Sequence, residues 1–328
     1  MRVPRCKVNA GRALLAAALL GCGAGAPAAE AYPNHPVTMV IPFAPGGYTD
    51  VVSRLLADQM GRSMGQSFVV ENRPGAGSTI GTKTLAHAKN DGYTVGVVSI
   101  SLVIGPLLYH PAPYDPIKDF TPVAKLAEAP SVMVVNPQFP AKTVAEFIAQ
   151  AKAHPKTIGY ASSGNGSTQQ LVGAYFAWAT GTQLNHVPYR GSNQSIVDVV
   201  GGVVQSSFVG ISNALPMVKS GRLRALAVTS AQRAAELPEV PTLVESGVKG
   251  AVITGWLGML VPAGTAPEIV ERLRVESAKA IATPEVRTAM ATQGVNQSLL
   301  NGADFEKLIK SESDRWGKLI QETGARVD

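Results

Sequence analysis

The stretch VTMVIPFAPGGYTDVVSRLLADQM, residues 37–60, predicts a strand, a glycine-rich turn and a helix in immediate succession. Its first five residues form an apolar, strand-like run. Apolar residues return at positions 51, 52, 55 and 56, a spacing that places them on one face of a helix. A strand followed by a helix is the repeating unit of α/β folds, so this stretch indicates the class of the chain.

A second stretch, TIGYASSGNGSTQQLVGAYFAWAT at residues 157–180, is built in the same way. Glycine lets the backbone approach a ligand closely, and the N–H groups at a helix start favour negative charge. Neither turn contains Lys or Arg, so backbone N–H groups and hydroxyls would be the donors. One such turn alone is explained equally well as an ordinary strand–helix connection. Two of them in one exported chain predict a clamp for a small anion.

Residues 1–28 have the pattern of an export signal. Four basic residues accompany an apolar run at residues 13–20, and APA at residues 26–28 fits a signal-peptidase site. LLGC at residues 19–22 resembles a lipoprotein cleavage box that would leave a lipidated Cys22, but Leu20 fits that box poorly. We therefore favour cleavage after Ala28 and a periplasmic location. No later run approaches the ~20 apolar residues that span a bilayer, so we expect a soluble mature protein.

The charge of the mature chain is close to neutral. The full chain carries +6, but four of its 29 basic residues lie in the signal, which leaves 25 basic and 23 acidic residues from Ala29 onward. Because no basic stripe remains, a nucleic-acid partner is not supported. Cys6 and Cys22 both precede Ala29, so the mature chain has no disulfide. A mature length of ~300 residues is usually divided into two domains.

Strand-like and helix-like runs alternate along the chain, which predicts α/β architecture with mainly parallel sheets. The predicted strands are residues 37–41, 68–70, 94–100, 131–135, 158–161, 207–211 and 223–229. The predicted helices are residues 51–60, 80–88, 144–153, 168–180, 192–200, 267–282 and 303–323.

An exported serine hydrolase is a catalytic alternative. GRSMG at residues 61–65 spells a nucleophile-elbow string, but its Ser63 ends a predicted helix instead of following a strand. Ser212 does follow a predicted strand, but GISNA at residues 210–214 lacks the closing glycine. Asn213 in that string is predicted to cap a helix, and could also point a polar side chain into a cleft. A hydrolase would further need a Ser–His pair within hydrogen-bond reach.

Cofactor and metal motifs are weak. GAGSTIG at residues 75–81 nearly matches a dinucleotide fingerprint, but its last glycine is one residue late and no strand with a well-placed acid surrounds it. The five histidines are scattered without ligand spacing. The sequence therefore predicts no cofactor, no metal and no enzymatic activity.

Several motifs together resemble the extracytoplasmic substrate-binding receptors of tripartite tricarboxylate transporters, also called the Bug family. The similarity covers essentially the whole mature chain. The motifs are PFAPGG at residues 42–47 with Asp50, VENRPGAG at 70–77, DGYT at 91–94, SSGNGS at 162–167, VPYRGS at 187–192, LPEVPT at 237–242 with Glu245 and Gly247, and Trp256 and Gly258 with PAGT at 262–265.

The resemblance implies a fold like that of type II periplasmic binding proteins, with two α/β domains around a central ligand cleft. It places a discontinuous first domain at residues 35–130 and 251–328 and a second at residues 131–250, with crossings near 129–130 and 250–255. It implies that domain closure buries a small organic carboxylate between the two turns, and that subunits of a tripartite tricarboxylate-type membrane transporter read the closed form. We expect a monomer.

The candidate ligand-binding residues come from the two turns and from two later strand–helix junctions. They are Phe43, Ala44, Pro45, Gly46, Gly47, Tyr48, Thr49, Asp50, Ser162, Ser163, Gly164, Asn165, Gly166, Ser167, Tyr189 and Asn213. Asp50 is predicted to cap the first helix, although near a ligand it could also bind an ammonium group. Arg190 could pair with a carboxylate, but a surface arginine is the simpler interpretation.

Three positions depart from the family pattern. Tyr48 stands where a small residue is common, and could narrow the pocket or stack on an aromatic ligand. Ser78 replaces a frequent glycine, and no acid lies near Gln205. Dicarboxylates, amino acids, aromatic acids and nicotinate-like compounds all fit a neutral, donor-rich cleft. A sensory receptor that reports ligand to a membrane kinase has the same sequence features as a transport receptor.

Overall fold

The computed structural model describes residues 1–4, 32–109, 111–165, 167–189 and 191–323. Outside these ranges lie residues 5–31, which include most of the predicted signal with Cys6 and Cys22, as well as His110, Gly166, Arg190 and the last five residues. Ten strands form one sheet within the described ranges. They are β1 Val37–Ile41, β2 Phe68–Asn72, β3 Thr94–Ser99, β4 Phe120–Val135, β5 Gly159–Ser162, β6 Asn185–Pro188, β7 Ser206–Gly210, β8 Arg224–Val228, β9 Thr254–Pro262 and β10 Asn296–Asn301.

Helices connect most of these strands. They are α1 Tyr48–Met64, α2 Thr79–Ala86, α3 Ser101–Leu108, α4 Val144–Ala153, α5 Thr168–Thr180, α6 Ser192–Val200, α7 Ile211–Lys219, α8 Pro267–Ile281, α9 Pro284–Thr292 and α10 Gly302–Thr323. All seven predicted strands and all seven predicted helices are present: β1, α4, α5 and α6 have the predicted bounds, and the others differ at one or both ends. Across the described residues, no helix is both long and apolar enough to cross a membrane.

The strand order is β2-β1-β3-β9-β4-β7-β5-β6, and β8 and β10 also pair with β4. The prediction of mainly parallel pairing is wrong. Four described strand pairs are parallel and five are antiparallel. The physical reason is that every antiparallel pair involves β4 or β9 in the middle of the sheet, and the sequence predicted only residues 131–135 of β4 and no part of β9.

The long strand β4 divides the sheet into two halves. Its residues 120–130 pair with β9, whereas residues 131–135 pair with β7. We call β1, β2, β3, β9, β10 and residues 120–130 the first half-sheet. The second half-sheet is β5, β6, β7, β8 and residues 131–135. The chain therefore changes sheet partner between Pro130, opposite Thr254, and Ser131, opposite Gly210.

Each half-sheet has its own packed core. β1 is almost fully buried because helices cover both of its faces, and Val37, Met39 and Ile41 are 0% exposed. They pack with α1, α8 and α9 in one apolar cluster. A second cluster joins α6 and α7 to the second half-sheet. A third continues across both halves, from Ile100 to Phe208. The glycine-rich turns therefore stand on rigid supports.

The last helix, α10, touches both halves of the molecule. Near its start, Phe305 meets the ring of Trp256 in β9 at 5.1 Å, edge to face. Nearer its end, Trp316 meets Tyr175 of α5 at 6.0 Å. Glu322 accepts a hydrogen bond from the indole of Trp178, also in α5, at 2.5 Å. α10 therefore lies across the seam between the two half-sheets.

Candidate functional site

Loop 1, residues 42–47, connects the carboxyl end of β1 to the start of α1. Its backbone is accessible, because Ala44, Pro45, Gly46 and Gly47 are all exposed. Gly46 has φ of +88°, a left-handed conformation that glycine adopts readily, whereas Gly47 is extended. An added Cβ at Gly47 would meet no atom within 4 Å. The loop thus presents bare backbone and the first N–H groups of α1 to open space.

Two aromatic side chains anchor this loop. Phe43 and Tyr48 are half-buried and pack against the core of the first half-sheet. Burial raises the pKa of Tyr48, and a hydrogen bond with Thr49 opposes that shift. The ring of Tyr48 therefore contributes to the support of loop 1, and its effect on ligand size stays a prediction.

Asp50 fastens loop 1 from inside the first turn of α1. It does not occupy the N-cap position, which is Gly47; it reaches back instead and accepts from Gly46 N–H at 3.0 Å. Its other oxygen accepts from Asn72 at 2.8 Å and pairs with Arg54 at 3.0 Å. Asn72, at the end of β2, also donates to the carbonyl of Phe43 at 3.1 Å. Asp50 thus has a structural role, because its hydrogen bonds hold the loop in place.

The protonation of Asp50 follows from these contacts. Burial alone would raise the pKa of its carboxyl. Hydrogen bonds from Arg54, Gly46 and Asn72 outweigh that effect and lower the pKa below its ordinary value. Asp50 therefore stays ionised at neutral pH and holds the loop as a charged acceptor.

Loop 2, residues 162–167, connects the carboxyl end of β5 to the start of α5. Ser167 is the N-cap of α5, and its hydroxyl accepts from Gln170 N–H at 3.3 Å. Gly164 has φ of +122°, which strongly favours glycine, and an added Cβ would lie 3.1 Å from the Tyr189 carbonyl. Ser163 is half-buried and Asn165 is exposed.

Ser162 is fully buried at the base of loop 2. Its hydroxyl accepts from Gly164 N–H at 3.1 Å and lies 2.6 Å from Nε2 of His186 in β6. Burial lowers the pKa of His186, so the neutral imidazole is favoured. No sequence motif singles out His186, because only the pairing of β5 with β6 brings it next to Ser162.

Tyr189 and Asn213 lie at two further strand–helix junctions of the second half-sheet. The Tyr189 N–H donates to the Ser162 carbonyl at 2.9 Å, and its hydroxyl donates to Asp198 at 2.5 Å. Burial and the neighbouring Asp198 raise the pKa of Tyr189 to about 12. Asn213 is exposed near the start of α7. The prediction that Asn213 caps this helix is wrong, because α7 begins two residues earlier with Gly210 at its N-cap.

A cluster of hydroxyls beside loop 1 was not predicted. Ser78 donates to Ser101 at 2.7 Å, and Ser101 lies 3.0 Å from Ser99, all three being buried. The cluster sits at the carboxyl end of β3 and the starts of α2 and α3. Gly81 in α2 approaches loop 1 so closely that an added Cβ would lie 2.8 Å from Pro42. The near-fingerprint glycine at position 81 thus serves helix packing.

The predicted nucleophiles have other partners. Ser63 donates to the Met60 carbonyl of its own helix at 3.1 Å, and Ser212 contacts Asn213 at 3.5 Å. Ser162 does lie within hydrogen-bond reach of a histidine, but it is 0% exposed. In the described part of the chain, no three His, Cys, Asp or Glu side chains are grouped to hold a metal.

The mixed, curled sheet with strand–helix turns at its edge defines a solute-binding protein with the fold of type II periplasmic binding proteins. The family profile described as the tripartite tricarboxylate transporter family receptor, TctC, matches residues 52–325. The chain belongs to this receptor family, which confirms the resemblance of its motifs. Receptors of this family are periplasmic binding proteins and not enzymes, as predicted.

Three similar proteins illustrate the family. Protein BugT of Bordetella pertussis is 37% identical over 308 residues, covering 93% of this chain and 94% of BugT. The structure of Rpa4515 from R. palustris with adipate is 32% identical with a TM-score of 0.79, covering 89% of this chain and 98% of Rpa4515. MatC from Rhodopseudomonas palustris with bound malate is 31% identical with a TM-score of 0.76, covering 88% of this chain and 100% of MatC.

Proposed function

We propose that this protein captures a small organic carboxylate between loop 1 and loop 2 and delivers it to a tripartite tricarboxylate-type membrane transporter. The observation that carries the proposal is the pair of fastened turns. Each connects a strand end to a helix start and is held by side chains behind it, so its backbone donors are preorganised. The similar proteins Rpa4515 and MatC, solved with adipate and malate, support a carboxylate as the ligand.

The neutral lining of the two loops favours binding without a formal countercharge. Neither loop contains Lys or Arg, and Arg54 already pairs with Asp50. A carboxylate would therefore accept from the N–H groups at the starts of α1 and α5 and from the half-buried hydroxyl of Ser163, whereas the predicted site residue Thr49 is buried, 3% exposed, and contacts Tyr48. Because the helix-start donors are fixed in place, they recognise one carboxylate group of the ligand. They do not determine the rest of the ligand molecule.

We further propose that the two halves are the two domains and that they close on the ligand. The change of partner along β4 at residues 130–131 supports a crossing there, and the return through residues 250–254 into β9 supports a second. Two crossing segments make a hinge, and closure of a hinge buries a ligand held between the halves. The closed form would then be the form that the transporter subunits bind.

A thermal-shift screen of the chain from Ala29 tests this function. The protein is unfolded and refolded first, so that copurified ligand is removed. Adipate, malate and several dozen other carboxylates are each compared with the corresponding amide. A ligand at 100 times its Kd adds ~2.7 kcal/mol, which raises Tm by a few degrees. We expect shifts with carboxylates and none with amides. A screen in which no carboxylate raises Tm contradicts the proposal.

A further inference from the structure

We infer that His186 is a positioning residue for loop 2, acting on the bound carboxylate only through the hydroxyl of Ser162. The inference rests on the proposed function, since it concerns the geometry of the same site. It assigns a role to a histidine that lies on β6, outside the glycine-rich turns and outside the predicted ligand-binding residues.

The hydroxyl of Ser162 is the centre of the contact. It lies 3.1 Å from the amide nitrogen of Gly164, 3.3 Å from the carbonyl oxygen of the same residue and 2.6 Å from Nε2 of His186. A serine hydroxyl has one proton to donate and two acceptor positions. Ser162 is 0% exposed, so the groups around it must satisfy it.

One protonation pattern satisfies all three contacts. If Nε2 of His186 carries the proton, Ser162 accepts from Nε2–H and from Gly164 N–H and donates to the Gly164 carbonyl. If Nε2 has no proton, the hydroxyl proton turns to His186, and the Gly164 carbonyl keeps only its second donor, the N–H of Ser167 at 3.2 Å. The Nε2–H form makes all three contacts and leaves Nδ1 free to accept from the side-chain nitrogen of Gln170, so the buried site favours it; in this form His186 acts through Ser162 on the N–H and the carbonyl of Gly164.

The other ring nitrogen reaches the helix that loop 2 introduces. Nδ1 of His186 lies 3.5 Å from the side-chain nitrogen of Gln170, in the first turn of α5. The backbone N–H of Gln170 in turn donates to Ser167, the N-cap of that helix. His186 thus connects the beginning of loop 2 with its end. Its ring is also held in orientation against Tyr160, at a centroid distance of 5.0 Å.

The conformation of Gly164 explains why the turn needs support from the side chains behind it. Gly164 adopts φ of +122°, a conformation that the chain holds only when its surroundings fix it. Without the Nε2 contact, the Ser162 hydroxyl can rotate away from Gly164, and the turn loses one of the constraints that orient its N–H groups, the other being the hydrogen bond from Ser167 N–H to the Gly164 carbonyl. Misplaced donors weaken binding of an anion even where the fold is unchanged.

The test compares three variants by calorimetric titration with the carboxylate that the unaltered protein binds in the screen. His186→Phe keeps a ring against Tyr160 but removes both nitrogens, and we expect a loss of affinity of at least about tenfold. His186→Gln restores a side-chain amide that reaches Ser162, and we expect affinity within about threefold of the unaltered protein. His35→Phe is the matched control, because His35 also stacks on a tyrosine, at 3.5 Å, but lies in the first half of the molecule.

A double-mutant cycle with Ser162→Ala completes the test. If His186 acts only through Ser162, the double variant Ser162→Ala with His186→Phe binds no more weakly than Ser162→Ala alone. Additive losses, or a His186→Phe variant with unaltered affinity, overturn the inference. If His186→Phe does not fold, Ser162→Ala and His186→Gln decide it: unaltered affinity in Ser162→Ala contradicts the role. Failure of the unaltered protein to bind any carboxylate would instead contradict the proposed function.

Discussion

The two loops occupy equivalent places but are fastened by different chemistry. Loop 1 is held by the ionised carboxylate of Asp50, whereas loop 2 is held by the neutral pair Ser162 and His186. In each case the fastening reaches the neighbouring outer strand, through Asn72 at the end of β2 and through His186 in β6. The protein thus uses a charge on one side of the site and a hydroxyl on the other.

The difference follows from what surrounds each fastening. Asp50 has a partly exposed cation nearby, since the side chain of Arg54 is 50% exposed, so its charge can be compensated. Ser162 lies beneath loop 2 with no exposure, where an isolated charge would be strongly unfavourable. The comparison predicts that loop 1 is more sensitive to loss of its fastener, and that loop 2 is the part that responds to mild acid.

The largest effect is expected from Asp50→Ala. The substitution removes the carboxylate that Gly46 N–H, Asn72 and Arg54 share, and only Asn72 and Arg54 keep a second acceptor, the Phe43 carbonyl and the Asn72 side chain. We expect the free energy of unfolding to fall by ~3 kcal/mol with loss of carboxylate binding. Denaturant unfolding measures it. Asp58→Ala is the matched control, because Asp58 pairs with Arg62 at the same i,i+4 spacing in α1 but is 45% exposed. We expect less than ~0.5 kcal/mol there, and equal losses would contradict the assignment.

Gly47→Val should separate binding from folding at loop 1. The backbone at Gly47 is extended and an added Cβ meets no atom within 4 Å, so Tm should change little. A branched side chain would occupy the space that we assign to the ligand, and affinity should fall by about a hundredfold, which is ~2.7 kcal/mol. Gly47→Ala should give a smaller loss. Normal affinity in the Gly47→Val variant would show that Gly47 is not part of the binding site.

Gly164→Ala should affect both folding and binding at loop 2. The φ of +122° and the approach to the Tyr189 carbonyl make any side chain strained, so we expect ~2 kcal/mol of destabilisation and weaker binding. Gly181→Ala, at the other end of α5, also has positive φ, +62°, but an added Cβ meets nothing within 4 Å. It should cost ~1 kcal/mol and leave affinity unchanged. If Gly164→Ala and Gly181→Ala differ in the free energy of unfolding but bind the carboxylate equally well, loop 2 has no role in binding.

The smallest effect is expected from pH. Burial lowers the pKa of His186 from its ordinary value of 6.5, so the folded state binds this proton less readily than the unfolded state. Its contribution to stability is therefore complete above pH 6.5 and declines as the pH falls below it. Between pH 7 and pH 5, Tm should fall slightly more for the unaltered protein than for His186→Gln. Identical slopes would show that His186 does not respond to acid.

Asp50 should respond in a different pH range. Its pKa is lowered below the ordinary 3.8, so the folded state releases this proton more readily, and its contribution persists above pH 3.8 and is lost only as the pH falls further. An Asp50→Asn variant should therefore lose part of the drop in stability below pH 3.8, whereas its profile between pH 7 and pH 5 should match that of the unaltered protein.

The fold was predictable where local pattern and tertiary structure agree. The run Val37–Ile41 and the helix after loop 1 are continuous in sequence, and both are observed. β9 was missed because its residues, TGWLGMLVP, contain two glycines and follow no helical segment. The first part of β4 was missed for a similar reason, since two prolines and two charged residues interrupt its apolar pattern; they are Pro122, Lys125, Glu128 and Pro130. Both are central strands whose partners are distant in sequence.

The part of the candidate site that the two turns form was predictable from the sequence. The two glycine-rich loops follow directly from strand–turn–helix spacing and from the family motifs. The side chains that hold these loops were not predictable from the sequence. Asn72 and Asp50 are 22 residues apart in the chain, and His186 and Ser162 are 24 residues apart. The hydroxyl cluster of Ser78, Ser99 and Ser101 joins three separate elements. A single sequence shows which residues carry donors, but strand pairing decides which donors meet.

The position of α10 makes the intrinsic tryptophan fluorescence of the protein sensitive to the seam between the two half-sheets. The chain has three tryptophans, and each either belongs to α10 or touches it: Trp316 lies within the helix, Trp256 packs on Phe305, and Trp178 donates to Glu322. Indole emission depends on the polarity and hydrogen bonding around the ring. A movement of one half-sheet relative to the other would change those surroundings at Trp178, which is 39% exposed, more than at the buried pair. Intrinsic fluorescence can therefore follow the seam without any attached label.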